Sequence, residues 1–179
     1  MIRLAREEDT PQIRDLWSYC FDDSPEFIDF FFNNCYLTNN TLVSEEEGRI
    51  QSCLQLLPYH MELRGREVPV YYIVGIGTWP EDRGQGLVKK LLQHADNLMQ
   101  ERGCGISILL PFQYDFYRKY GWEVCYDLII YKEVELTSAS ATTKHHAKGG
   151  LFKKVVLDGD FKKLSDCYLK YMKGYNGYI

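Results

Sequence analysis

Arg83-Gly84-Gln85-Gly86-Leu87 is the stretch of this chain best suited to hold an anion. It lies between a strand pattern over Glu67–Thr78 and a helix pattern over Gly86–Glu101. Backbone N–H groups at a helix start lack intrahelical partners, and the helix dipole favours negative charge there. Glycines let the backbone approach phosphate oxygens closely. Two nucleotide readings fail. A dinucleotide turn needs G-x-G-x-x-G at the strand-to-helix junction, but Gly75 and Gly77 fall inside the strand, and Glu81-Asp82 intervenes before Gly84. A P-loop needs Gly-Lys-Ser/Thr, and Gly86 is followed by Leu87. Gly75 and Gly77 are read either as easing a ligand's approach to the strand or as a bulge or close-packing site.

The elements that must position this turn follow from hydrophobic period and punctuation. Ile2–Ala5 is a short strand. Thr10-Pro11 starts a helix with Thr as N-cap and Pro at the first helical position, and Ser24-Pro25 repeats the signal. Thr41–Ser44, Ile50–Leu63 and Glu67–Thr78 are strands, the last two joined by a turn at Arg64-Gly65. The Gly86–Glu101 helix carries Leu87, Leu91, Leu92, Ala95, Leu98 and Met99 on one face, with Gly103 as its C-terminal cap. Ile106–Leu110 is a buried central strand, Phe112–Tyr120 a short helix closed by Gly121, and Trp122–Leu136 a long strand. Thr137–Lys148 is a loop, Leu151–Leu157 a strand and Asp160–Lys173 a helix. This order predicts a mixed α/β (α+β) fold, a mixed central sheet flanked by helices rather than a doubly wound parallel sheet.

Bulk properties narrow the classes. The chain has 179 residues, 45% of them hydrophobic, which suits one domain with a sizeable core. A formal charge of −4 argues against nucleic acid and suits cationic small molecules. The six cysteines form no C-x-x-C pair and read as buried reduced thiols of a cytoplasmic protein. The charged start MIRLAREEDT has no signal-peptide h-region, and no apolar run reaches the ~20 residues of a membrane span. No metal-ligand spacing is present, so no metal is expected.

Arg83-Gly84-Gln85-Gly86-Leu87-Val88 resembles the Q/R-x-x-G-x-G/A pyrophosphate turn of the GNAT superfamily of acyl-CoA-dependent N-acyltransferases. Arg83 and Gly86 match; Val88 departs from the final small residue and is expected to tighten the turn. One strand further on, Phe116-Tyr117-Arg118-Lys119-Tyr120-Gly121-Trp122 is similar to the superfamily's FYxKxGF signature. The Asn that often precedes that helix is replaced by Leu110. GIGTWPEDRGQGL followed by SILLPFQYDFYRKYGWE is close to the N-terminal domain of the Eis-like (enhanced intracellular survival) acetyltransferases. The resemblance covers roughly Met1 to Leu136 in element order, so residues 1–136 are expected to form the acetyltransferase core. Residues 137–179 would complete that domain or link it to a second one.

The resemblance implies acetyl-CoA as co-substrate and direct attack by an amine in a ternary complex. The amides of Gly84, Gln85, Gly86 and Leu87 would hold the pyrophosphate, and Arg83 either adds charge at the helix start or simply covers the turn. The pantetheine arm would pair with Ile76, Gly77 and Thr78 as an added strand. A backbone N–H near Ile76 would stabilise the oxyanion. On residue type alone Tyr117 is a core aromatic; the signature makes it the candidate general acid toward the leaving thiolate. Tyr titrates near ~10 and a thiol near ~8.5, so full transfer is uphill by about 2 kcal/mol and an O–H···S hydrogen bond is the safer expectation. The acceptor pocket would use the Cys20–Phe31 segment, with Asp22 and Asp23 drawing a cationic amine and Phe27 and Phe30 as apolar walls; the other reading of the segment is a solvated turn followed by core aromatics. His60, on the neighbouring strand, is the only nearby titrating candidate, and no general base is identifiable. Lys89 and Lys90 are candidates for the 3′-phosphate or simply solvated.

The acceptor is expected to be a small-molecule or peptide amine, and the family implies a homo-oligomer. The Eis-like relatives carry further domains, so an end at Ile179 is expected of a piece of a longer protein or of a natural single-domain member. The alternative class is a non-catalytic acyl-CoA-binding or regulatory domain, favoured by the missing base and by Val88.

Overall fold

The computed structural model describes residues 1–125 and 157–173. Met1–Glu123 form one compact unit, and Val124–Asn176 belong to a second. In the first, β1 (Ile2–Leu4) is followed by a 3₁₀ turn at Glu7–Asp9, then α1 (Thr10–Cys20) and α2 (Pro25–Asn34). Strands β2 (Thr41–Glu46), β3 (Arg49–Leu63) and β4 (Arg66–Thr78) lead through a 3₁₀ turn at Pro80–Asp82 into α3 (Leu87–Glu101). The short β5 (Ser107–Ile108) and α4 (Tyr114–Arg118) close this unit, and α5 (Leu157–Met172) is the described element of the second.

The described sheet runs β1-β2-β3-β4-β5, antiparallel except for the parallel β4–β5 pair. It is the mixed α/β architecture that the element order predicts. Two-residue turns at Glu47-Gly48 and Arg64-Gly65 join β2 to β3 and β3 to β4, with all four residues at positive φ. Primed turns of this kind match the twist of paired strands.

Alternation along the strands sends side chains to two cores. On one face Leu42, Leu54, Leu56 and Ile73 meet Leu91, Leu92, Ala95 and Met99 of α3. On the other, Val43, Ile50 and Cys53 meet Ile13 and Leu16 of α1, and Leu57 meets Trp17, Ile28 and Phe31. Helix α3 therefore rests on one face of the sheet and α1 and α2 on the other.

Several expected boundaries move. Asp9, not Thr10, stands at the N-cap of α1, because the 3₁₀ turn before it carries the chain in. Ile106–Leu110 contributes only Ser107–Ile108 to the sheet; these are half-buried, and Leu110 is 60% exposed. The apolar run overstates this strand because the chain leaves β4 after two register pairs. The short helix contracts to Tyr114–Arg118, and Trp122–Cys125 is not strand. The rest of the expected 122–136 strand and the 137–148 loop lie outside the described residues, as does the expected 151–157 strand apart from Leu157. That residue is the first of α5, which begins three residues before the expected Asp160. Cys53 and Cys104 are buried thiols, Cys20 and Cys35 are half-buried, and Cys125 and Cys167 are exposed rather than buried.

Candidate active site

Strand β4 is the frame of the site. On its β3 side it is paired from Arg66 to Thr78. On its β5 side it is paired only at Tyr71 and Tyr72. Among the described residues, Ile73–Thr78 therefore present an open strand edge, with backbone donors and acceptors available to an extended ligand.

A β-bulge interrupts β4 within this open stretch. Gln55 pairs with Val74 and Cys53 with Gly77, so β4 carries one more residue than β3 across the interval. Gly75 adopts φ +60°, and a Cβ there would overlap the Gln55 amide and the Trp17 ring. Gly77 lies under α1, where a Cβ would stand 3.3 Å from Cys20 Sγ and Leu16 Cγ. Both open readings of these glycines thus resolve toward bulge and close packing.

Downstream of Thr78 the chain reaches the Gly-rich turn directly. Arg83 Nε donates to the Thr78 carbonyl at 3.2 Å, fastening the turn to the end of β4. Ile76, Gly77, Thr78, Arg83, Gly84, Gln85, Gly86 and Leu87 are thereby gathered along one continuous path. Gly86 is the N-cap of α3 at φ +72°, with no side-chain cap. The first intrahelical bond is Lys90 N–H to the Gly86 carbonyl, at 3.1 Å. The amides of Leu87, Val88 and Lys89 so have no helical acceptor.

The acids before the turn do not oppose an anion. Glu81 and Asp82 both pair with Arg49, at 2.5 and 2.9 Å, and Gln51 Nε2 donates to Asp82 at 3.2 Å. Val88, expected to tighten the turn, instead turns half-buried onto the α3 core cluster. Lys89 and Lys90 are exposed. A cleft of about 340 Å³ opens on the β2 side of α3, lined by Ser44, Gln51, Gln85, Leu87 and Lys90 among others. It does not follow the open edge of β4.

Tyr117 is 6% exposed on α4 and walled by Phe112 and Phe116, with ring centroids at 5.7 and 5.2 Å. Burial pushes its phenol pKa up. Tyr120 and Trp122 anchor this segment to the α3 core, whereas Tyr114 is exposed. Burial also pushes the Cys53 thiol up to about 12, as befits an inert core cysteine.

The sequence-predicted acceptor residues separate. Asp23 Oδ2 accepts from Trp17 Nε1 at 2.9 Å, so its carboxylate holds the tryptophan that lies against Gly75. Asp22 is exposed, and Phe27 is exposed and stacked on Phe31. His60 is exposed and pairs with Pro69, about 20 Å along the strand from Ile76. That separation puts it out of reach of an amine attacking beside Ile76.

Two residues of the site were missed. Trp17 and Gln55 face the bulge from α1 and β3. The one available signal was Gln55 itself, an amide within the apolar stretch Cys53-Leu54-Gln55-Leu56-Leu57, because a buried polar group needs a partner.

Solved structures of similar fold agree with this architecture. A GCN5-related N-acetyltransferase from Anabaena variabilis is 28% identical, with a TM-score of 0.62; the match covers 68% of this chain and 31% of that one. A predicted acetyltransferase from Clostridium acetobutylicum, solved with acetyl-CoA, is 19% identical with a TM-score of 0.62, over 74% of this chain and 95% of that one. Glucosamine-6-phosphate N-acetyltransferase from Arabidopsis thaliana is 20% identical with a TM-score of 0.58, over 74% and 97%. The chain spans about a third of the length of the first three structures it matches. No curated protein matches it. Residues 1–125 match the family described as the acetyltransferase (GNAT) domain, and this chain belongs to that family.

Proposed function

We propose that this chain transfers an acetyl group from acetyl-CoA to a primary amine of a small molecule or peptide. The observation that carries the reading is the open β4 edge, Ile73–Thr78, running into the uncapped start of α3. A pantetheine arm fits the first as an added strand, and a pyrophosphate fits the second. The match over residues 1–125 supports the reaction class, and the likeness to Eis-like N-terminal domains in GIGTWPEDRGQGL and the Tyr117 segment supports the branch. In this reading residues 1–136 are the catalytic core, residues 137–179 complete or extend it, and the protein works in the cytoplasm as a homo-oligomer. Among the described residues no helix is long and apolar enough to cross a membrane.

The neutral amine attacks the thioester carbonyl, forming a C–N bond. The carbonyl π electrons move to oxygen, and an N–H of the bulge donates a hydrogen bond to the resulting oxyanion. The proton on the attacking nitrogen passes to solvent water, and collapse of the adduct breaks the C–S bond and expels the CoA thiolate. Tyr117 donates a hydrogen bond to the leaving sulfur. Its raised pKa keeps the phenol protonated through neutral pH and makes complete transfer to sulfur less favourable still. Ile73–Thr78 carries no carboxylate or imidazole, and His60 is remote, so no side chain of this strand takes the amine proton.

The test is thiol release from acetyl-CoA across an amine panel that includes polyamines and aminoglycosides. Turnover on at least one amine is expected. Tyr117→Phe should lower kcat roughly 100-fold while acetyl-CoA still raises Tm as in the wild type. Unchanged turnover removes Tyr117 from the reaction. A thermal shift with acetyl-CoA but no turnover on any amine identifies the non-catalytic acyl-CoA-binding domain instead.

A further inference from the structure

Gln55 is 1% exposed, a neutral amide in the apolar interior between β3 and α1. Burying it without partners would be unfavourable. With its amide turned so that Nε2 faces β4, it donates to the Val74 carbonyl at 2.8 Å and to the Gly75 carbonyl at 3.2 Å. These are consecutive carbonyls. In a regular strand consecutive carbonyls point to opposite sides, and only one could meet a single donor group. The positive φ of Gly75 turns both the same way. Every peptide bond in the described residues is trans, and a trans peptide sets each N–H antiparallel to the carbonyl before it. The N–H groups of Gly75 and Ile76 must then both point away from Gln55.

The bulge is held from a second direction as well. The Trp17 ring fills the space a Gly75 side chain would take, and Asp23 fixes that ring through its indole N–H at 2.9 Å. Trp17 is itself buried among Phe21, Phe31 and Phe32. A bulge otherwise leaves an unpaired residue free to relax. Here two peptide planes are pinned by one amide and roofed by one indole.

We propose that Gln55 is a positioning residue for acyl transfer: by clamping the Val74 and Gly75 carbonyls it aims the Gly75 and Ile76 N–H groups at the thioester carbonyl. Trp17, held by Asp23, is the roof that keeps Gly75 in the clamped conformation. The inference rests on the acetyl-CoA reading of the open β4 edge. It gives the bulge a cause in the side chains of β3 and α1 rather than in β4 alone.

Backbone amide NMR during an acetyl-CoA titration tests it. In the wild type, the Gly75 and Ile76 amides should shift together with those of Gly86 and Leu87. In Gln55→Met, which keeps the length and loses the donor, the Gly86 and Leu87 shifts should persist while those of Gly75 and Ile76 are lost. Gln55→Glu, which replaces the NH₂ donor by a carboxylate, should lose them too. Retention of the Gly75 and Ile76 shifts in both variants overturns the role of Gln55 and leaves the acetyl-CoA reading standing. No shift at either pair of amides in the wild type overturns both. The wild type alone supplies a check that needs no variant to fold: the Gln55 side-chain NH₂ protons should be protected from solvent exchange, and rapid exchange overturns the clamp.

Discussion

Helices α2 and α3 begin in opposite ways. At α2, Ser24 Oγ accepts from Phe27 N–H at 3.3 Å, Pro25 occupies the first turn, and Glu26 adds negative charge. At α3, Gly86 has no side chain to offer, the first turn has no acid, and Gly84 to Gly86 is exposed. The 3₁₀ turn that leads into α1 is served by a built-in anion: Asp9 is buried and accepts from Arg3 at 2.5 and 3.0 Å and from Arg6 N–H, at the start of that turn, at 2.7 Å. Helix starts carry unpaired donors whatever the sequence. The chain supplies a side-chain oxygen at the start of α2 and at the 3₁₀ turn before α1, and omits it at α3, where the β4 edge is also open. The difference separates positions that stabilise the fold from one left to a ligand.

Asp9→Asn gives the largest effect on the closed side. It removes a charge from a buried, hydrogen-bonded pair and leaves Arg3 with Glu45 at 3.7 Å as its remaining ion-pair partner. We expect a loss of about 2–3 kcal/mol. For a chain of this size that is a Tm drop of roughly 5–10 °C. The effect should depend on pH with a defined sign. The hydrogen bond from Arg3 holds the Asp9 carboxyl below the usual range. Its contribution is therefore complete above the unfolded value near ~3.9 and is lost as pH falls through the lower folded value. Wild type and variant should differ at pH 6 and converge in strong acid. The acetyl-CoA thermal shift should be the same in both.

Gly86→Ala tests the open side. A Cβ there meets nothing within 4 Å, so the added methyl is resisted only by the φ of +72°. An L-residue in that conformation costs about 1–2 kcal/mol. The turn relieves that cost by re-aiming its amides, so most of the acetyl-CoA thermal shift should vanish for a modest fall in Tm. A full thermal shift in Gly86→Ala would mean that the amides of this turn do not hold the ligand.

The closed features were legible in the sequence because they are side-chain signals. Ser24-Pro25 and the apolar face of Gly86–Glu101 declare themselves by type and spacing, and the structure keeps both. The Asp9 cap was misplaced by one residue because Thr10-Pro11 is the stronger local pattern, and the Arg3 partner comes from another strand. The open features are backbone properties and were only partly legible. Arg83 and Gly86 mark the turn, but the short pairing of β5 is invisible in an apolar run that reads as a full strand. Val88 was misjudged because a helix-start pattern does not say which residue turns inward. The indole partner of Asp23 lies six residues earlier, on the far side of a turn, so the sequence pattern shows only an acid before α2 and not the hydrogen bond that engages it. The side chain of His60 suits a general base, but the register with Pro69 removes it from the open end of β4.

The smallest effect is the sharpest control. Ser24→Ala deletes the side-chain acceptor of α2 and should cost about 1 kcal/mol. That is a Tm fall of about 2–4 °C, close to the stability cost of Gly86→Ala. The two variants alter starts of similar energetic weight, one closed and one open. If the open start is where acetyl-CoA binds, Ser24→Ala must keep the full acetyl-CoA thermal shift while Gly86→Ala loses most of it. Equal losses in both would mean that ligand binding follows global stability and that the missing cap at α3 has no bearing on the ligand.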